Sequence, residues 1–85
     1  MKTITLTWKA FGEPTSATFE MATEATAREL CNLAFRNTNL YQGEMWDIVE
    51  PLLPEDRTHT SLSVGDEVTV DGEVFRCEPE GWSVI

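Results

Sequence analysis

The spacing of hydrophobic residues changes twice along this chain, and it limits the possible folds more than any other feature. Ile4, Leu6 and Trp8 alternate with threonines, which is the period of a half-buried strand. Between residues 27 and 35 the apolar positions lie three and four apart, as they do on a helix. Alternation returns between residues 67 and 77. The sequence therefore predicts strands at both ends and a helix between them.

The first half predicts a hairpin and then the main helix. Residues 17–21 repeat the alternation of the first strand, and a loop from Lys9 to Pro14, which contains Gly12, separates the two. Thr23 is one candidate N-cap of the helix, and Thr26 with Glu29 is a competing capping box. We expect the helix to end within residues 37–39 and to bury a stripe made of Ala27, Leu30, Cys31, Ala34 and Phe35.

A second, shorter helix is predicted from Glu44 to Val49 or Glu50. Pro51 and Pro54 interrupt the helical pattern, because a residue before proline is disfavoured in helical geometry. We expect its buried side to consist of Met45, Ile48, Val49 and Leu52, and its acidic side of Glu44, Asp47 and Glu50.

The last third predicts a three-stranded antiparallel meander. Asp71-Gly72 is typical of a type I′ turn, and it places Val68 opposite Phe75. The same register places Glu67 opposite Arg76, where we expect an ion pair. The second turn spans residues 78–81. Ahead of the meander, we expect Gly65 to form a turn, Asp66 to cap it, and two residues to reach the core: Leu62 and Val64.

These elements predict one α+β domain spanning residues 1–85. It has an N-terminal β-hairpin, one main helix, one short helix and a C-terminal three-stranded antiparallel meander. The hairpin and meander could share one sheet with the main helix packed on it, or could form a small, partly open barrel. The strand order and the oligomeric state cannot be deduced from the sequence.

The net negative charge of the chain lies entirely in its second half. Residues 1–42 contain four acids and four bases, whereas residues 43–85 contain eleven acids and two bases, which gives the net charge of −9. Such a half does not bind a phosphate backbone directly, since that requires clustered Lys and Arg. It could instead face a basic protein surface or imitate nucleic acid. High charge could also serve solubility alone.

No group of residues predicts catalysis. His59 is the single histidine and lies in a polar run without a nucleophile motif, so we interpret it as a solvated or capping residue. Cys31 and Cys77 lie on apolar faces and are expected to be buried, reduced and inert. We therefore predict a protein that is not an enzyme and that has no metal site and no cofactor. With no apolar run long enough for a membrane span, we expect a cytoplasmic protein.

The aromatic residues divide into core candidates and surface candidates. We assign Trp8, Phe19, Phe35 and Phe75 to the core. Trp46 and then Tyr41 are the best candidates for exposed aromatics beside acids, an arrangement typical of a protein-binding hot spot. The predicted protein-binding residues are Tyr41, Glu44, Trp46, Asp47, Glu50, Glu55 and Asp56.

The run from Arg57 to Asp66, followed by Val70-Asp71-Gly72 and Gly81-Trp82, resembles a run in small accessory proteins of actinobacterial phages. Asn39-Leu40-Tyr41, with Trp46 ahead of Pro51, is similar to the same group. The resemblance covers about half of the chain. It implies a small protein in the cytoplasm of an infected bacterium and carries no catalytic role.

We therefore expect a non-catalytic accessory protein that binds a host or phage protein through its acidic half. The alternative is a DNA mimic that inhibits a nucleic-acid-binding defence protein. Mimicry requires the acids to share one face with phosphate-like spacing.

Overall fold

The chain forms one antiparallel sheet with two helices packed against it, in a computed structural model that describes residues 1–10, 13–55 and 60–85. The elements are β1 (Lys2–Trp8), β2 (Thr15–Met21), α1 (Ala27–Leu40), α2 (Glu44–Val49), a 3₁₀ turn (Glu50–Leu52), β3 (Glu67–Val70), β4 (Glu73–Glu78) and β5 (Gly81–Val84). This confirms the predicted α+β fold and its order of elements. Within the described residues, neither helix has the length and apolarity needed to cross a bilayer.

The sheet has the strand order β2-β1-β3-β4-β5. The N-terminal hairpin and the C-terminal meander join because β1 pairs with β3, placing Leu6 opposite Val68. Strands β2 and β5 are the two edges, so the chain forms the open sheet and not the partly open barrel. This order places β2, which belongs to the neutral half of the chain, far from β4 and its two flanking turns, which carry Asp71, Glu73, Glu78 and Glu80 against one base, Arg76.

One face of the sheet holds the core and the other is polar. The inward residues of β1 and β2 are almost fully buried, as alternation predicts, and they cluster with Leu30, Ala34 and Met45 of the helices. On the opposite face, a hydrogen bond of 2.9 Å joins the hydroxyls of Thr5 and Thr18. The threonines between the core positions therefore form the outer surface of the sheet.

A capping box at Thr26 starts the main helix. The Glu29 N–H donates to the Thr26 hydroxyl at 3.2 Å, and the Thr26 N–H donates to the Glu29 carboxylate at 2.8 Å. Hydrogen bonds from the Thr26 main chain and then from its side chain lower the pKa of the Glu29 carboxyl, because they favour its charged form. Thr23 instead accepts from the Ala25 N–H before the helix begins. Of the two candidate caps, Thr26 is therefore the one that is used.

The main helix ends later than predicted, and this changes its buried face. It continues to Leu40, so the expected end within residues 37–39 was wrong. Asn37 and Thr38 extend the buried face because their side chains are hydrogen-bonded, and Thr38 donates to the Ala34 carbonyl at 2.9 Å. Phe35 then lies on the flank of this face and is 41% exposed, so its assignment to the core was wrong.

Two smaller burial predictions were also wrong. Leu52 is 49% exposed because α2 gives way to the 3₁₀ turn, whose tighter winding rotates Leu52 off the buried side of the helix. Val64 is 52% exposed because it lies inside the turn that the Asp66 N–H closes on the Ser63 carbonyl. Leu62 is fully buried, as predicted.

The register of the meander is the predicted one. Asp71 and Gly72 have φ angles of 48° and 90°, and positive values at both positions are what a type I′ turn requires. Val68 lies opposite Phe75, and Glu67 lies opposite Arg76. The expected ion pair was wrong, however, since Glu67 binds Lys9 at 2.9 Å and Arg76 binds Glu78 at 3.2 Å.

Asp66 joins the beginning of the meander to the end of β1. Its Oδ1 accepts main-chain N–H groups from Lys9 at 2.6 Å and Ala10 at 2.8 Å. Its Oδ2 accepts the Ser63 N–H at 2.8 Å, which is the predicted turn cap. The side chain is almost fully buried, and three main-chain donors compensate for the water that its charge has lost.

Candidate functional site

An open pocket of about 370 Å³ lies between the C-terminal end of α1 and the segment after α2. We call it the aromatic–acidic pocket. Its described lining consists of Tyr41, Trp46, Glu50, Leu53, Pro54, Glu55 and Thr60. The structure thus brings together four of the seven residues predicted to bind a protein.

Tyr41 is placed in the pocket by the way α1 ends. It adopts the left-handed conformation, with φ 54° and ψ 40°, and its N–H donates to the Asn37 carbonyl. The Gln42 N–H donates to the same carbonyl at 3.3 Å. Left-handed geometry is unfavourable for a residue with a Cβ, and outliers of this kind cluster at functional sites. Tyr41 is 55% exposed and lines the pocket.

Gly43 and Asn37 fix the start of α2. Gly43 has a φ of 115°, and a Cβ added there would lie 2.5 Å from the Asn37 side chain. That side chain is buried, and its Oδ1 accepts the Met45 N–H at 3.0 Å. The bond satisfies an N–H of the first turn of α2, which its glycine N-cap cannot do with a side chain. The connection between the helices is consequently tight.

Trp46 forms the wall of the pocket and does not project from it. Its exposed fraction is only 8%, so the prediction that it is an exposed aromatic was wrong. The side of α2 that carries Trp46 turns toward Tyr41, and the two ring centroids are 5.3 Å apart with an interplanar angle of 70°. Edge-to-face packing of this kind stabilises aromatic pairs. Tyr41 is therefore the aromatic residue that a partner can reach.

Residues 60–62, which begin at the pocket-lining Thr60, are hydrogen-bonded to α1 and to the core. The Trp8 indole N–H donates to the Thr60 carbonyl at 2.9 Å, and the Leu62 N–H donates to the Thr38 hydroxyl at 3.0 Å. Ser61 donates to the Tyr41 hydroxyl at 3.3 Å. These contacts come from residues that are far apart in sequence, so the side of the pocket near Thr60 is fixed by the tertiary fold.

The carboxylates at the pocket belong to Glu50 and Glu55, and both side chains are exposed. Glu44 and Asp47 are exposed on α2 but are not among its lining residues. Asp56 lies outside the described residues. The described lining contains no cationic side chain, so the local charge is negative.

Sequence reasoning missed three lining residues: Leu53, Pro54 and Thr60. The two prolines of residues 51–54 indicated only that the helix ends. The role of Thr60 had no sequence signal, because the indole that holds its carbonyl is 52 residues away.

The other acids of the second half are spread over the molecule. Asp66 is buried, and Asp71 accepts the Thr3 N–H at 2.8 Å in the β3–β4 turn. Glu67 and Glu78 are paired with bases on the polar face of the sheet. Hydrogen bonds from Ser83 and Arg76 lower the pKa of Glu78. The described acids do not form a single row of free charges.

The cysteines are placed as inert residues. Burial raises the pKa of the Cys31 thiol to about 12. Burial also raises the pKa of the Cys77 thiol, and the negative charge of the nearby Asp66 raises it further. Neither thiol is therefore activated as a nucleophile. In the part of the chain that the structure describes, no three His, Cys, Asp or Glu side chains are grouped to hold a metal ion. His59 lies outside that part.

Comparison with known proteins gives no match to a family model, a curated protein or a solved structure.

Proposed function

We propose that this chain is a non-catalytic protein that binds a basic surface of another protein, and that a Lys or Arg side chain of the partner enters the aromatic–acidic pocket. The observation that carries the proposal is the composition of this pocket. It combines an accessible Tyr41 ring and apolar walls with two exposed carboxylates, Glu50 and Glu55.

A long basic side chain fits this combination chemically. Its methylene groups can pack along Leu53 and Pro54 while its charged end stays near the carboxylates. The Tyr41 ring can attract the same cation through its face. A pocket of about 370 Å³ is at the small end of the usual range for ligand sites, which suits one side chain better than a large cofactor.

The net charge of the chain supports an electrostatically guided encounter. The charge of −9 lies in the half that supplies every described lining residue except Tyr41, so the field attracts a basic surface before contact is made. Association should therefore weaken as salt is raised. The partner is proposed to be a host or phage protein in the cytoplasm of an infected bacterium, as the phage-like sequence run implies.

The dispersed acids favour this proposal over the DNA-mimic alternative. Mimicry needs many free carboxylates in one array, whereas Asp66, Glu67 and Glu78 are buried or paired. No described feature specifically favours imitation of a duplex.

A titration followed by NMR tests the pocket. Short oligolysine and oligoarginine peptides are added to the isotope-labelled protein, and a glutamine peptide serves as the neutral control. We expect a saturable shift of the Trp46 indole signal, whereas the Trp82 indole, which donates to Asn32, stays in place. Shifts spread evenly over the acidic half, or absent at Trp46, would contradict the proposal.

A pair of double variants controls for charge. Glu50→Gln/Glu55→Gln neutralises the pocket, and Glu73→Gln/Glu80→Gln makes the same charge change at exposed acids elsewhere. Only Glu50→Gln/Glu55→Gln should weaken binding of the basic peptides strongly. Equal losses for both would show that net charge alone drives the association.

A further inference from the structure

Among the described residues, no strand pairs with the outer edge of β2. The Asp71 N–H donates to the Thr3 carbonyl and the Thr3 N–H donates to the Asp71 side chain, so both main-chain groups of Thr3 point toward β3. Because these directions alternate along a strand, the main-chain N–H and C=O groups of Ile4 point toward β2, where Ile4 pairs with Phe19. The N–H and C=O groups of Ser16, Thr18 and Glu20 consequently point away from the sheet.

This edge lacks most of the features that protect sheet edges from pairing. Strand β2 is seven residues long, contains no proline or glycine and has one charge, at Glu20. Natural edges are usually short, or interrupted by proline, bulges or several charges. The opposite edge, β5, has four residues and begins with Gly81. Of the two edges, β2 is the better template for another strand.

We propose that β2 pairs antiparallel with β2 of a second copy of this chain, which extends the sheet across a two-fold axis at Thr18. In this register Thr18 faces the partner's Thr18, and Ser16 faces the partner's Glu20, each pair exchanging main-chain hydrogen bonds. A carboxylate then lies opposite a hydroxyl and never opposite another carboxylate. The edge is thus complementary to itself, as an isologous dimer requires.

The charge distribution of the sheet favours a second copy at this edge. Strand β2 belongs to the half with four acids and four bases, and β4 and β5 lie at the other end of the sheet. Pairing through β2 places β4 and its flanking turns, which carry Asp71, Glu73, Glu78 and Glu80 against Arg76, at opposite ends of the extended sheet. Repulsion between two chains of charge −9 remains, so the dimer is expected to form at moderate salt, where the screening length is about 8 Å.

Sedimentation of the full chain tests the dimer, at moderate salt and at rising concentrations up to about 1 mM. The wild-type protein should approach twice its 9.6 kDa mass. Thr18→Lys places two like charges opposite each other at the two-fold axis and should weaken the dimer at least about tenfold. Thr69→Lys makes the same change on the same face but in the interior strand β3, and it should leave the dimer intact.

Hydrogen exchange of the wild-type protein gives a second readout that needs no variant. The amides of Ser16, Thr18 and Glu20 should become protected as the concentration rises, whereas exposed amides elsewhere should not. A wild-type chain that stays monomeric at the highest concentration would overturn the proposal. So would a dimer that Thr18→Lys and Thr69→Lys leave equally intact, or a dimer in which these amides stay unprotected.

Discussion

The Tyr41 and Trp46 rings pack in an edge-to-face arrangement, with 5.3 Å between the centroids and 70° between the planes. The left-handed end of α1 presents Tyr41 to solvent, and α2 buries Trp46 behind it. A strained backbone position therefore holds the accessible aromatic residue of an acidic pocket. This arrangement predicts a conflict between stability and binding at residue 41.

Tyr41→Gly and Tyr41→Ala should separate these two effects. Both variants remove the ring, but only glycine removes the cost of left-handed geometry, so Tyr41→Gly should be about 1 kcal/mol more stable than Tyr41→Ala. Both should lose binding to basic peptides. Urea denaturation and the NMR titration measure the two quantities. Equal stability of the variants would contradict a left-handed conformation at residue 41.

Gly43→Ala should destabilise the fold more than Gly65→Ala. Both positions have positive φ angles, but an added Cβ meets Asn37 at 2.5 Å at Gly43 and nothing within 4 Å at Gly65. We expect about 2–4 kcal/mol of destabilisation at Gly43 and about 1–2 kcal/mol at Gly65. Denaturant unfolding of the two variants measures the difference. Similar losses would show that Asn37 can move aside.

Asp66→Asn should lower the free energy of unfolding, although it changes the shape of the side chain very little. An amide replaces one of the two oxygens that accept the N–H groups of Lys9, Ala10 and Ser63, so at least one partly buried hydrogen bond loses its acceptor. The expected loss of unfolding free energy is about 2–3 kcal/mol.

Glu67→Gln is the matched control for Asp66→Asn. It removes the same charge from the adjacent residue, whose partner Lys9 has a half-exposed side chain, and it should cost less than about 1 kcal/mol. If the two variants unfold at the same urea concentration, Asp66 does not link the meander to β1 in the way described.

Alkaline pH should destabilise the protein through Cys31. The thiol ionises at its ordinary value of 9.0 in the unfolded chain, whereas burial raises its folded pKa to about 12. Between these values the folded state binds more protons, so stability falls as pH rises, by up to about 1.4 kcal/mol per pH unit. Unfolding of the wild type and of Cys31→Ala across this range isolates the contribution. Parallel curves for the two proteins would contradict it.

Local sequence patterns predicted the helices and strands, because the start, end and turn geometry of each element depend on residues close to it in the sequence. The Asp71-Gly72 turn sets the register of Val68 opposite Phe75 without help from the rest of the fold. The capping box at Thr26 is similarly local. The strand order could not be deduced, because the pairing of β1 with β3 depends on contacts that are distant in sequence.

The site was predictable only in part. The sequence placed Tyr41, Trp46 and Glu50 near one another along the chain, and the fold brings them to one pocket. It could not show that Trp46 is buried, since that depends on where the left-handed residue at the end of α1 directs the chain. Nor could it show that Trp8 holds Thr60 at the same site.

Affinity capture from bacterial lysate tests the central claim most directly. Three tagged proteins are compared at low and moderate salt: the wild type, Glu50→Gln/Glu55→Gln and Glu73→Gln/Glu80→Gln. We predict one stoichiometric basic partner that the wild type and the Glu73/Glu80 variant retain, that the Glu50/Glu55 variant loses, and that higher salt weakens. No such partner, or one that both double variants retain equally, would contradict the assignment of binding to the aromatic–acidic pocket.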